Sequence, residues 1–122
     1  MKMSHILLSA AVSLACSSAA FAQSAPVKKA DGVLVTSAGM TVYTFDKDTE
    51  GKSACAGGCV ALWPVVSAGE GKLSPPYGSI TREDGAKQLT YKGKPLYTFV
   101  QDKNPGDRNG DNVKDIWHVV KD

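Results

Sequence analysis

The chain has 122 residues, of which 43% are hydrophobic and 21% charged, with a formal net charge of +2. That is enough chain for one ordinary domain. The charge balance offers neither a basic face for nucleic acid nor an acidic tail.

The N-terminus reads as an export signal. Lys2 gives a positive start, Ile6 to Ala15 is a short apolar run, and Ala20-Phe21-Ala22 is an Ala-x-Ala cleavage signature. The run is too short to span a membrane, so residues 1–22 are expected to be a secretory signal peptide removed before Gln23. A competing reading attaches lipid at Cys16 after Ser13-Leu14-Ala15, although bacterial lipoprotein signals usually place the leucine one position earlier. Cleavage after Ala22 leaves a mature chain of about 100 residues, none of it long and apolar enough for a membrane helix. The mature chain keeps one histidine, His118, and two cysteines, Cys55 and Cys59.

Residues 23–31 read as a flexible leader with nothing apolar enough to dock. Val33-Leu34-Val35-Thr36 is β-branched and flanked by Asp31-Gly32 and Ser37-Ala38-Gly39, which predicts a strand entering a tight turn. Met40 to Phe45 is the return strand, with Val42 and Thr44 on one face and Tyr43 and Phe45 on the other. A charged, glycine-rich loop follows to Gly58. Val60 to Val66 is a short apolar run carrying Trp63, and Pro64 makes it an edge strand or a short helical turn. Ser67 to Ser79, with Gly69, Gly71, Pro75, Pro76 and Gly78, reads as a linker. Ile80-Thr81 opens another strand and Arg82-Glu83-Asp84-Gly85 is a turn. Lys87 to Tyr91 and Pro95 to Val100 form a second hairpin, Gln101 to Lys114 a second polar loop, and Asp115 to Lys121 a closing strand. No window shows a sustained helical period.

The second hairpin copies the first. Gly39-Met40-Thr41-Val42-Tyr43-Thr44-Phe45-Asp46-Lys47-Asp48 reappears 54 positions on as Gly93-Lys94-Pro95-Leu96-Tyr97-Thr98-Phe99-Val100-Gln101-Asp102. At the same offset Leu62-Trp63-Pro64-Val65-Val66 falls on Ile116-Trp117-His118-Val119-Val120. Two tryptophans held in register with the hairpins identify an internal duplication, with repeat one at about 32–66 and repeat two at about 80–120. The expected fold is mostly β: a small single domain built from two duplicated β-hairpin repeats with pseudo-twofold symmetry. Neither hairpin would be stable alone. Tyr43, Phe45, Tyr97, Phe99, Trp63 and Trp117 are expected to pack around a shared core and to supply much of its burial.

The Tyr43-Thr44-Phe45…Asp48 motif, its copy Tyr97-Thr98-Phe99…Asp102, and Cys55-Ala56-Gly57-Gly58-Cys59 ahead of Leu62-Trp63-Pro64 together resemble the bacterial secreted repeat of unknown function. Members of that family are exported proteins and predicted lipoproteins with a Tyr-x-(Phe/Trp/Tyr)-x-x-Asp motif. The resemblance runs from about Gly32 to Val120. It implies a cell-envelope location and brings no activity, substrate or catalytic residue.

Four features could carry chemistry. An even cysteine pair in an exported chain most often forms a disulfide, and the two glycines between Cys55 and Cys59 let the backbone turn tightly enough. The pair could otherwise be a thiol switch or a soft-metal site, but it lacks the Cys-x-x-Cys spacing of redox enzymes and the further ligands zinc requires. Asp107, Asn109, Asp111 and Asp115 alternate as in short calcium loops, against a plain polar turn, making calcium the one cofactor to consider. Asp48 and Asp102 occupy equivalent places; they read as turn carboxylates and, at the limit, as a hydrolytic pair. The aromatics read as core, and exposed ones could also stack on sugars. His118 has no nucleophile near it in sequence and reads as structural. The expected protein is therefore an exported, periplasmic or secreted envelope module of unknown activity. It is expected to be non-enzymatic and to bind an envelope partner or to serve structurally. The alternative is a metal-binding or redox accessory protein of the periplasm.

Overall fold

The computed structural model describes residues 26–121. The expected signal peptide, the Cys16 lipid site and the first residues of the leader lie outside the described residues. Seven short strands and one α-helical turn follow in order, with a 3-10 turn at Val113–Asp115 before the last strand: β1 (Val27–Ala30), β2 (Val33–Thr36), β3 (Tyr43–Phe45), α1 (Gly58–Leu62), β4 (Tyr77–Thr81), β5 (Lys87–Tyr91), β6 (Lys94–Pro95) and β7 (Trp117–Val119). All the strand pairs are antiparallel. The protein is mostly β and built from two repeats.

Each repeat begins with a hairpin that the sequence showed only in part. β1 pairs with β2 across Asp31-Gly32, and β4 pairs with β5. Residues 27–30 are thus not a flexible leader. Val27 is buried against Leu34 and other core residues, and Asp31 and Gly32 both take the positive φ that a two-residue hairpin turn requires. Likewise the stretch 67–79 is not all linker. Ser67 bridges to Gln88, and β4 already starts at Tyr77. The charge of Lys28-Lys29 and the glycine and prolines before Ser79 hid one buried side chain and one strand edge, respectively.

The closing segment of each repeat is exchanged. β7, from repeat two, pairs with β3 of repeat one, and Leu34 donates its main-chain N–H to Val120 at 3.0 Å. By the same pattern Val65 of repeat one bridges to Tyr97, and Leu89 donates to Val66 at 2.8 Å. Between the halves, Tyr43 and Tyr97 exchange both main-chain bonds, at 2.7 and 2.9 Å. A residue paired with its own counterpart marks the pseudo-twofold axis. The expected closing strand from Asp115 is shorter than the sequence implied, because a 3-10 turn at Val113–Asp115 delivers the chain to Trp117. Pro64 likewise stops α1, and no main-chain N–H at that position continues it.

The central segments are buried on both faces. Val42 and Leu96 join Leu34, Leu89, Val66 and Val120 in one cluster. Tyr43 and Tyr97 point the other way into a second cluster with Trp63 and Trp117. Alternation along a strand thus serves two cores, and the pattern carries no polar face.

Candidate functional site: the motif centre and the cleft beside it

The repeated motif residues converge on the axis. Trp63 and Trp117 stack face to face, with centroids 3.7 Å apart and planes within 1°. Phe45 covers the far side of Trp117 at 4.1 Å, and Phe99 covers Trp63 at 4.0 Å. The result is a four-ring stack in which each phenylalanine lies on the tryptophan of the other repeat. Tyr43 meets Trp63 edge-on at 5.5 Å, and Tyr97 meets Trp117 edge-on at 5.2 Å. Edge-to-face and stacked contacts of this kind add to simple burial.

The motif carboxylates are exchanged in the same way. Tyr43 donates its hydroxyl to Asp102 Oδ2, and Tyr97 donates its hydroxyl to Asp48 Oδ2, both at 2.6 Å. The second oxygen of each carboxylate accepts a loop N–H, from Asn109 at 2.9 Å and from Ala54 at 2.6 Å. One side chain therefore ends a strand, orders the loop after it and anchors the tyrosine of the other half. The Tyr-x-Phe-x-x-Asp spacing follows from this: Tyr and Phe share a strand face, and three further residues bring the carboxylate round the turn.

Each tyrosine oxygen also accepts one bond, and here the halves differ. Tyr43 takes the Gly110 main-chain N–H at 3.1 Å, while Ser53 Oγ lies 2.5 Å from the Tyr97 oxygen. Ser53 Oγ accepts in turn from Arg82 Nη1 at 2.8 Å. Arg82 also bonds Gln88 Oε1 at 2.8 Å and the Cys55 carbonyl at 2.5 Å. Gln88 is fully buried and donates to the Leu96 carbonyl at 2.9 Å. Its counterpart in repeat one is the buried apolar Val33, so the network beside Tyr97 has no copy beside Tyr43.

Burial sets the proton positions. It pushes the Tyr97 phenol up to about 12, with the Asp48 carboxylate adding to the shift and the Ser53 hydroxyl opposing it. The Tyr43 phenol is raised by burial and by Asp102, against the Gly110 N–H. Burial also raises the Asp48 carboxyl, opposed by the Ala54 N–H, the Tyr97 hydroxyl and the Arg82 charge. Both phenols stay protonated at neutral pH and serve as donors, so neither is a base or a nucleophile there.

Cys55 and Cys59 form a disulfide with Cα atoms 5.3 Å apart. Cys55 is buried in the aromatic cluster, and the bridge joins the Ser53 loop to α1. This loop and the β4–β5 turn form the two walls of a cleft of about 590 Å³. Val60 and Ile80 supply apolar surface, Arg82 and Ser53 polar groups, and Lys52, Glu83 and Asp84 charge.

The calcium expectation fails on geometry. Asp107 Oδ2 accepts from the Lys103 and Asn104 main-chain N–H groups at 2.9 and 3.0 Å. Asp111 Oδ1 accepts from Val119 at 3.1 Å, and Asn109 Nδ2 donates to the Gln101 carbonyl at 3.2 Å. Asp115 is exposed at the end of the 3-10 turn. Among the described residues, no group of three acidic, histidine or cysteine side chains could hold an ion, and Asp107, Asp111 and Asp115 form none. Asp107 and Asp111 each spend an oxygen on main-chain N–H groups, as turn and strand-end caps do. His118 lies away from the ring stack, with Nε2 2.8 Å from Asp46 Oδ2.

Sequence reasoning missed Ser53, Arg82, Gln88 and Gly110. Arg82 looked like a turn residue and Ser53 like loop. The usable signal was Gln88, a polar residue where the duplicated hairpin of repeat one carries Val33. Gly110 is set by close approach: a Cβ there would lie 2.8 Å from the Trp63 ring and 2.9 Å from that of Tyr43.

The family model described as a secreted repeat of unknown function matches residues 25–67 and again residues 78–121. The chain belongs to that family, and membership places it among exported proteins. The two matched segments begin at the β1 and β4 hairpins, in keeping with repeats that start earlier than residues 32 and 80. Neither the curated proteins nor the solved structures gave a match. Among the described residues, no helix is long and apolar enough to cross a membrane.

Proposed function

We propose that this chain is a non-catalytic binding module of the bacterial cell envelope, released into the periplasm by cleavage after Ala22. The carrying observation is the inward commitment of the motif: Asp48 and Asp102 each accept a tyrosine hydroxyl and a loop N–H. A hydrolytic pair needs carboxylates that face a substrate, and these two hold the halves of the domain together. The recognition surface in this reading is the cleft between the disulfide loop and the β4–β5 turn. The disulfide serves as its brace, and Arg82 ties the two walls to each other.

The test combines two arms. Asp48→Asn and Asp102→Asn are expected to lower the unfolding midpoint and to leave a hydrolase substrate screen as blank as that of the parent. A hydrolytic activity abolished by either substitution would overturn the reading. In the second arm, Ala56→Trp fills the cleft from an exposed position. Any envelope component that raises the parent's melting midpoint by mass action should leave that of Ala56→Trp unchanged. Cell fractionation of the parent and Cys16→Ser, both expected in the soluble periplasmic fraction, checks the location.

A further inference from the structure

The two repeats treat their outer strand edges differently. β1 and β4 are counterparts, and each pairs on one side only among the described residues. β1 carries Lys28 and Lys29, both exposed. Lysine on an edge strand is a standard guard against pairing with another chain. β4 reads Tyr77-Gly78-Ser79-Ile80-Thr81 and has no charge anywhere along it. The residue of β4 that corresponds to Lys29 is Ser79, since Lys29 stands opposite Leu34 and Ser79 opposite Leu89.

The hydrogen-bond phase shows which groups face out. Arg82 donates to the Ala86 carbonyl at 2.8 Å, and Lys92 donates to that of Pro76 at 2.8 Å. Bonds alternate along an antiparallel pair, so Gly78 and Ile80 bond inward to β5 while Ser79 and Thr81 turn their main-chain groups to the open edge. Both residues are exposed. Pro75 and Pro76 close the strand at one end, and the Arg82–Gly85 turn closes it at the other.

From this we infer that β4 is an interaction edge and that its partner is β4 of a second copy, joined antiparallel about Ser79. The strand is its own complement in that register. Ser79 meets Ser79 of the other copy and exchanges both main-chain bonds. Ile80 lies over Gly78 of the other copy, where no side chain stands in its way, and no charges face each other along the pairing. One such contact uses up the unguarded edge of both copies and leaves the two lysine-guarded β1 edges outermost. The assembly therefore closes at two copies, as an isologous interface should. The joined strands make one six-stranded sheet, β6-β5-β4 continuing into its twofold image.

The test is sedimentation equilibrium or light scattering on the processed protein purified from the periplasm. The expected result is twice the chain mass at about micromolar concentration, falling to the single mass on dilution. Ser79→Lys places the repeat-one residue in repeat two and should weaken association at least about tenfold. Ser79→Pro removes only an outward-facing N–H and should do the same. Near-ultraviolet circular dichroism of both variants should match the parent, showing the fold intact. Lys29→Ser, the reverse exchange, should leave the two-copy state in place. A parent that stays monomeric at about 100 μM overturns the inference, as does a dimer that survives both Ser79 variants. A monomer whose edge captures an extended peptide also overturns it, and in either case the cleft reading above stands or falls separately.

Discussion

A tyrosine that gives its proton to the carboxylate of the opposite repeat makes a specific demand on both. Tyr43→Phe keeps the ring in its edge contact with Trp63 but leaves the buried Asp102 carboxylate and the Gly110 N–H without that oxygen. Unsatisfied buried groups cost about 1–3 kcal/mol, and chemical denaturation of Tyr43→Phe should show a loss in that range. Tyr97→Phe should behave similarly through Asp48 and Ser53. The pH dependence has a definite sign. The folded Tyr97 phenol titrates at about 12 against an ordinary 10.0, so the folded state keeps a proton that the unfolded chain loses. Its stabilisation is fully present below pH 10 and disappears as pH rises towards 12. Denaturation midpoints measured from pH 9 to 12 should fall for the parent, and Tyr97→Phe should fall less. Gly110 makes a different kind of demand. Ala at this position pushes a methyl into the Trp63 and Tyr43 rings, which should destabilise by about 1–3 kcal/mol, read from the same denaturation experiment.

At the scale of elements, the turns explain most of what was legible. Asp31-Gly32 bounds a strand in the sequence and proves to be a two-residue hairpin turn in the structure. Lys92-Gly93 is the two-residue turn between β5 and β6, yet Lys92 takes φ of 53°, a conformation asparagine tolerates far better. Lys92→Asn should therefore raise stability by roughly 0.5–1 kcal/mol, by the logic that fits a residue to its backbone. The hairpins at 33–45 and 87–100 could be found because β-branched runs and glycine turns are local signals. β1 could not, because its burial rests on one side chain, Val27, between a polar leader and two lysines. α1 was only half visible: five residues carry no period, and Pro64 announces an end without announcing a helix. The calcium loop misled for a related reason. Alternating oxygens look the same whether they converge on an ion or bond the amides of their own turn, and only the path of the backbone decides.

Over the whole molecule, the six aromatics of the motif were legible because a duplication repeats its essential spacings. What the spacing could not convey was which half each residue serves. The exchange of closing segments puts Trp63 on Phe99 and Trp117 on Phe45, so that every stacked contact at the axis joins one repeat to the other. The stack should give an exciton couplet in the far-ultraviolet region of the circular dichroism spectrum, with the indoles only 3.7 Å apart, and Trp63→Phe or Trp117→Phe should abolish it. Of the Arg82–Gln88–Ser53 network, the repeat offered only the departure of Gln88 from Val33, while Arg82 and Ser53 lay in stretches that read as turn and loop.

Interlocked halves also say something about how such a chain could arise. A polypeptide with a single copy would leave its tryptophan segment without a hairpin to lie on, and would find one only in a twin molecule. Two copies in one chain supply each other's hairpin, with residues 69–76 joining the halves. Joining them turns an encounter that depends on how many molecules are present into one fixed by tether length. The tether itself is then dispensable once the halves have met. A protease cut within residues 69–76 should leave two fragments that stay together through gel filtration and melt as one, whereas either fragment expressed alone should fail to fold.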